Sequence, residues 1–559
     1  MVLSRVLAIV LAVGCVAVCT GGTSAQVLHE RFDAWPMETS INGTVVLAAS
    51  LNDLSILKEA IRTPAEQSVV RIYASGEEST HGQIVALQQV FEPLSITLSI
   101  DRKNNAHKAA LSTLTKDCDV LCWLSSSVTS DAEQRDVAEC SELLNAFVRN
   151  KGVLILIGPV ATLAGKLNAT GSGQPIRGLD LIQDAVIVSD YVGSESQQVQ
   201  LTSVLRDQPR TVGVGLSAES VLVLNARRIR MAGSGTATFL LPNGAHHAGK
   251  QQVLARPTSR RQSPAEYIVD WTQWRRESIE RTLDVFPPTE RQTPYVENGT
   301  LVIVGGGGMP DGLMDRIVEL AGGPESARMV YVPCEEQAHI SPNQSTISAW
   351  KRGGVKNATF IHTKDRNLAN TDEAFLAPLK DATGLWFGGG RQWNFADSYY
   401  GTQAHQLMKD VLSRGGVIGG SSAGASIQAE YLARATPIEN FDIMASGYER
   451  GGLGFLRGVA IDQHFSQRGR QKDMTQLVNR YPQLLGIGLD EATAIIVQKS
   501  KAEVIGRGKV YFYDRDQPVS AGGPDYVALP AGSAYDLAAR SVLIDSTPTA
   551  PEETPNANE

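Results

Sequence analysis

The 559-residue sequence predicts an α/β protein: a parallel sheet flanked by helices in its C-terminal part, preceded by a second α/β domain. Three observations carry that expectation. Apolar strand-like runs alternate with amphipathic helical stretches along both parts, the rhythm of a parallel sheet covered by helices. Glycine-rich turns close several of those runs, GGGG at 305–308 and GGG at 388–390. The stretch VIGGSSAGASI, Val417 to Ile427, ends another run in a Gly-x-Ser-x-Gly pattern. Length agrees, because one core rarely serves a chain of this size.

The first residues, MVLSRVLAIVLAVGCVAVCTGGTSAQ, place one Arg before an apolar run from Val6 to Cys19, then small residues. That layout predicts a secretory signal over 1–25, with Thr23-Ser24-Ala25 before the cleavage point; the apolar run is short for a bilayer span. The expected location is secreted or periplasmic, and no later segment is long and apolar enough to cross a membrane. Export permits disulfides, and Cys118, Cys122 and Cys140 could supply one, although the spacing fixes no pairing.

Residues 27–285 are expected to form the first domain. DCDVLCWLSS reads as a strand, CSELLNAFVRNKG as a helix with a glycine stop, and VLILIGP as the next buried strand. At that strand end, Ile157-Gly158-Pro159-Val160 offers neither Ser nor Cys, so this part shows no nucleophile. ARPTSRRQSP, a Trp/Arg-rich helix (YIVDWTQWRRESIERTL) and FPPTERQTPYVENG read as a boundary region. A second series fills 298–545. LVIVGGGGMPDGLMDRIVELAGG is strand, turn, helix and stop. MVYVP, ATFIH, GLWFGGG, GGVIGG, GVAIDQH and LLGIGLD follow as buried strands, with AEVIGRG and VYFYD as a strand pair. The polar, proline-rich residues 546–559 read as a disordered tail. The two parts share this rhythm only as a weak pattern.

A net charge of -8 gives no basic face for nucleic acid. The turn at 305–308 follows a strand and opens a helix, but a dinucleotide fingerprint needs glycines at i, i+2 and i+5. Counting from Gly305 or Gly306, the sixth position is Pro310 or Asp311. A tight turn letting backbone approach a substrate is the better account. No Cys/His cluster has zinc-ligand spacing, and His246-His247 reads as a surface turn.

Gly420-Ser421-Ser422-Ala423-Gly424 has the register of a strand-to-helix elbow, with Ser422 as the exposed nucleophile and Ser421 as a spacer. Small neighbours suit it because a bulky side chain would clash in so tight a turn. Ala423 N–H can meet an oxyanion, and the glycines ending at Gly390 can supply a second donor. His464, in IDQHFSQRGR at the end of another apolar run, is the candidate base. Asp462, Gln463, Arg468 and Arg470, with Gln392, make a polar set in which arginines suit a carboxylate ligand.

Together GGSSAGA, GLGFLRGVAIDQHFSQRGR and FGGGRQ resemble the serine-peptidase family that contains cyanophycinase and bacterial α-aspartyl dipeptidase, over roughly Leu301 to Asp514. The resemblance implies a fold like class I glutamine amidotransferases, with Ser in place of Cys at the elbow, and no metal or organic cofactor. It implies Ser422 as nucleophile, His464 as base, and a pocket lined by Gln392, Asp462, Gln463, Arg468 and Arg470. Cyanophycinases release β-Asp-Arg dipeptides from an arginine-bearing polyaspartate, so a peptide or aspartate-rich polymer is the implied substrate. Two departures stand out. Where cyanophycinases carry a further Arg, three residues beyond RGR, this chain has Asp473. The triad acid is expected between Ser422 and His464, where Glu439 is preferred over Asp442, Glu430 and Glu449. The expected protein is thus an exported serine peptidase hydrolysing peptide or isopeptide bonds of aspartate-containing substrates, with a homodimer as a further expectation. The alternatives are an α-aspartyl dipeptidase-like or other acyl hydrolase, and a non-catalytic exported binding protein.

Overall fold

The computed structural model describes residues 43–543 apart from 49–55, 61–67, 76–80, 93–94, 102–106, 126–136, 138, 171–173, 260–261, 439–440 and 518–521. The expected signal over 1–25 and tail over 546–559 lie outside the described residues.

The N-terminal half begins with strands β1 Thr44–Ala48, β2 Val69–Ser75, β3 Ser95–Asp101, β4 Val120–Ser125 and β5 Val153–Ile157. It continues with β6 Gly165–Asn168, β7 Ile176–Arg177, β8 Ile182–Val188, β9 Val212–Leu216 and β10 Val221–Asn225. β11 Arg228–Met231, β12 Ala237–Leu241, β13 Lys250–Leu254 and β14 Ile268–Asp270 complete it. The C-terminal half opens with β15 Val296–Val304, β16 Arg328–Cys334, β17 Asn357–Phe360, β18 Gly384–Gly390 and β19 Val417–Ser421. Then come β20 Ala429–Tyr431, β21 Leu456–Gln463, β22 Leu485–Leu489, β23 Thr493–Lys499 and β24 Lys501–Gly506. The last are β25 Lys509–Tyr513, β26 Val527–Pro530, β27 Ala534–Asp536 and β28 Ser541–Leu543.

Strands β4 and β5 (VLCWLS, VLILI) are buried almost throughout, as continuous apolar runs require when both sheet faces are covered. They belong to a sheet ordered β14-β11-β10-β1-β5-β4-β2-β3, beside a second ordered β13-β12-β9-β8-β6-β7. The C-terminal half carries β17-β16-β18-β19-β15-β23-β24-β27-β28 and β20-β21-β22-β25-β26. The sheets are mixed. β15 runs parallel to β19 but antiparallel to β23, so the expected parallel sheet is one side of a mixed one.

The same plan occurs twice. Counted from each half's first strand, with β7 left out because it has no counterpart, β3-β2-β4-β5-β1-β10-β11 and β17-β16-β18-β19-β15-β23-β24 have one order. The smaller sheets match likewise, β6-β8-β9-β12-β13 with β20-β21-β22-β25-β26. Strand directions agree: β1–β5 and β15–β19 are parallel, while β1–β10 and β15–β23 are antiparallel. The weak rhythm shared by the two parts of the sequence is therefore a repeated topology.

One reading of the sequence is corrected. AEVIGRG and VYFYD do form strands, β24 and β25, but they do not pair. β24 lies between β23 and β27, and β25 between β22 and β26, in different sheets. Ala502 and Val504 of β24 and Val510 and Phe512 of β25 meet in one core from those two sheets, a placement that adjacency in sequence does not reveal. The Trp/Arg-rich stretch forms helix α1, Trp271–Glu280, every residue of which is buried except Gln273. It is a packed junction between the halves. Gln273 Nε2 donates to Ser446 O at 2.9 Å, and Arg276 is fully buried. Cys118, Cys122, Cys140 and Cys334 are all free thiols. Among the described residues no helix is long and apolar enough to cross a membrane.

Candidate active site

β19 delivers Ser422 to the start of a short helix, α2, Ala423–Ser426. The serine adopts φ 57° and ψ -115°, a conformation that non-glycine residues rarely occupy and that collects at functional positions. Its glycines are there for space. A Cβ at Gly420 would lie 2.2 Å from Gly424 O, and one at Gly424 would lie 2.1 Å from Phe387 O. Ala423, as the first helical residue, has no intrahelical acceptor for its N–H.

His464 follows β21, also at positive φ (48°), and donates its backbone N–H to Gly305 O at 2.8 Å. Its Nε2 stands 3.0 Å from Ser422 Oγ. Its Nδ1 stands 2.6 Å from Glu491 Oε1. Glu491 comes two residues after β22, the parallel neighbour of β21, so both strand ends open on one edge. Gln467 Oε1 accepts the Glu491 N–H at 3.0 Å, fixing the loop that carries the carboxylate.

The glycine turn after β15 fits around this pair. A Cβ at Gly306 would fall 2.4 Å from His464 Nε2, and one at Gly307 would fall 2.4 Å from the Glu491 carboxyl carbon. Both residues have positive φ (93° and 62°), which glycine tolerates. Gly306 O also accepts from Ala492 N at 2.8 Å. A close backbone approach was expected of this turn; the groups approached are the imidazole and carboxylate.

The acid is thus a correction to the sequence reading. Glu439 lies outside the described residues, and the carboxylate against His464 is that of Glu491, beyond the histidine in sequence. Glu430 instead accepts from Gly458 N at 2.9 Å, and Glu449 sits beside Glu280 near the junction helix. The missed signal was Asp490-Glu491 directly after the strand LLGIGL: two parallel neighbouring strands end side by side, so their next residues meet.

The other predicted residues fall into two groups. Gln392, Asp462, Gln463 and Arg470 are buried. Asp462 accepts from Arg434 Nε (2.8 Å) and Arg470 Nη1 (2.9 Å), and Arg470 Nη1 also donates to Gln463 O (2.6 Å). Gln392 Nε2 donates to Ala433 O (2.6 Å) and Arg434 O (3.0 Å). Gln463 Oε1, next to His464, is buried without a hydrogen-bond donor among the described residues. Arg468 is exposed on the turn after His464. Asp473 binds Arg434 Nη2, so its departure from the expected Arg is answered by a local cation. Gly389, rather than Gly390, abuts Ser422: a Cβ there would lie 3.6 Å from Ser422 Cβ, whereas one at Gly390 would strike Cys334 O at 2.7 Å.

Residues 301–505 match the family model of peptidase family S51. A cyanophycinase of Geminocystis herdmanii is 26% identical over 224 residues, 39% of this chain and 82% of that protein. One of Synechococcus elongatus is 31% identical over 168 residues, 29% of this chain and 50% of that protein. The crystal structure of a peptidase from an acI-B1 Actinobacterium is 22% identical, covering 44% of this chain and 98% of its own, with a TM-score of 0.30.

Proposed function

We propose that this serine-type peptidase, similar over residues 301–505 to peptidase family S51 and to cyanophycinases, hydrolyses peptide or isopeptide bonds of aspartate-containing substrates through an acyl-enzyme on Ser422. The observation that carries the reading is the line Ser422 Oγ–His464 Nε2–Glu491 at 3.0 and 2.6 Å. In this scheme His464 takes the Ser422 proton as Oγ attacks the acyl carbon, then returns it to the leaving amine. Glu491 holds the ring with Nε2 toward the serine and stabilises the imidazolium. Backbone N–H groups of Ala423 and of the turn Gly389–Gly390 receive the oxyanion. Water then repeats the sequence on the acyl-enzyme.

The C-terminal half is proposed as a class I glutamine amidotransferase-like domain over 298–545, the N-terminal half as a separate α/β domain over 27–285. Aspartate as the acyl donor rests on the cyanophycinase relatives and on the arginines beside His464. Export rests on the leader-like sequence over 1–25. The reversed charge at Asp473 favours a second reading, an α-aspartyl dipeptidase-like specificity in place of the arginine-bearing polymer.

Wild type and Ser422→Ala are compared on cyanophycin, Asp-Xaa dipeptides and simple esters, with labelling by a fluorophosphonate. Hydrolysis and label lost together in Ser422→Ala are the expected result. Activity unchanged in that variant would remove Ser422 from the mechanism.

A further inference from the structure

The repeated topology lets the two halves be superposed residue by residue through their hydrogen bonds. Ser422 N donates to Val304 O at 3.0 Å; its counterpart Gly158 N donates to Ala48 O at 2.9 Å, at φ 83°. Phe465 N, after His464, donates to Leu489 O; Tyr191 N, after Asp190, donates to Leu216 O. His464 and Asp190 share positive φ, 48° and 51°. Two residues beyond Leu489 and Leu216 stand Glu491 and Ala218. Gly158, Asp190 and Ala218 thus occupy the places of nucleophile, base and acid, a set with no hydroxyl to activate and no imidazole to activate it.

What this silent half does carry is a buried cation aimed at the active one. Arg227 leaves the β10–β11 turn and grips Asp270 with Nε (2.6 Å) and Nη2 (2.8 Å). Its Nη1 binds Asp397, its Nη2 donates to Tyr448 OH at 2.6 Å, and its guanidinium lies 4.4 Å over the Trp393 ring. Arg276 of α1 binds the other Asp397 oxygen. Trp393 and Asp397 both belong to helix Trp393–Tyr399, which starts three residues after Gly390. The exposed cross-half pair Arg228–Glu336, at 3.6 Å, reaches none of this helix. Desolvating two arginines and two carboxylates can cost more than such pairs return, so their geometry is better read as fixing position than as adding stability.

We propose that Arg227 is a positioning residue: through Trp393 and Asp397 it sets the helix that follows the Gly389–Gly390 turn, so that the silent half holds the oxyanion site of the active half in register with Ser422. The inference rests on the Ser422 reading above. A misplacement of an ångström or less at an oxyanion donor lowers the rate by about 10- to 100-fold while leaving ground-state binding in place.

The test uses the full chain with R227M, R227K and, as a surface control, R228A. It reads the rate of Ser422 phosphonylation by a fluorophosphonate, and kcat and KM on a simple ester. R227M is expected to slow both rates about 10- to 100-fold with KM within about 2-fold of wild type. R227K, which keeps the charge without the planar fork, should recover part of the loss, and R228A should match wild type. R227M that melts cooperatively and labels at the wild-type rate overturns the proposal, as does a loss confined to KM. Where R227M does not fold, R227K carries the test, and a wild-type rate in it overturns the proposal. A wild type that takes no label at Ser422 overturns the nucleophile reading and this inference with it.

Discussion

Gly306 lies against the imidazole of His464 so closely that a single added methyl would stand 2.4 Å from Nε2, the atom facing Ser422 Oγ. The glycine run after β15 is therefore shaped by the imidazole of His464 and the carboxylate of Glu491. Gly306→Ala is expected to cost about 1–2 kcal/mol in stability, because φ is 93° there, and to lower acylation by about 100-fold or more. Denaturant unfolding and fluorophosphonate labelling measure the two separately; labelling at the wild-type rate would show that the ring is not confined by this turn.

Glu491→Gln removes the charge that holds His464 Nδ1 while keeping the shape. The expected loss in ester hydrolysis is about 100- to 10,000-fold. Glu439→Gln, measured beside it, separates the two assignments. A loss at Glu439 with none at Glu491 would return the acid's role to the segment between Ser422 and His464.

Arg470 is half of a buried pair with Asp462, which Arg434 shares. Arg470→Ala leaves one carboxylate oxygen without its cation and is expected to destabilise the protein by about 2–3 kcal/mol. Substrate selection should shift as well, with acidic peptides losing more than neutral ones. Unfolding curves and paired kcat/KM values check this, and an unchanged midpoint would place Arg470 outside the core of the network.

Burial above all raises the carboxyl of Glu449, to about 8, with the neighbouring Glu280 raising it further. Burial also raises Glu280 itself, against the pull of Arg450. Unfolded, both titrate near the ordinary glutamate value of about 4.3. Between about pH 4.5 and 8 these two carboxyls hold more protons folded than unfolded, so their contribution to stability declines as pH rises through that window. Glu449→Gln removes most of the decline. Its melting temperature relative to wild type should climb from pH 5 to pH 8.5, and a constant difference would refute the shift.

The elbow that carries Ser422 was legible in the sequence because its pattern is local. Gly420, Ser422 and Gly424 fall within one five-residue window of recognisable pattern, and His464 ends a strand recognisable from GVAIDQH. The acid was not legible, because its place depends on which strands are neighbours: Glu491 meets His464 only since β21 and β22 lie side by side and end together. The same holds for AEVIGRG and VYFYD, adjacent in sequence yet parted between two sheets.

By itself the sequence determined that strands and helices alternate, that Ser422 sits in an elbow and His464 beside an arginine cluster, and that Ile157-Gly158-Pro159-Val160 holds no nucleophile. Those are properties of short windows, where period, turn chemistry and residue type suffice. Sheet order and packing supplied the rest: the carboxylate against His464, the close approach of Gly306 and Gly307, the repeat of one strand order, and the burial of Arg227 against Trp393 and Asp397. His464 meets Glu491 across 27 positions and Arg227 meets Asp397 across 170, and such contacts follow from sheet order and packing, which no local pattern encodes.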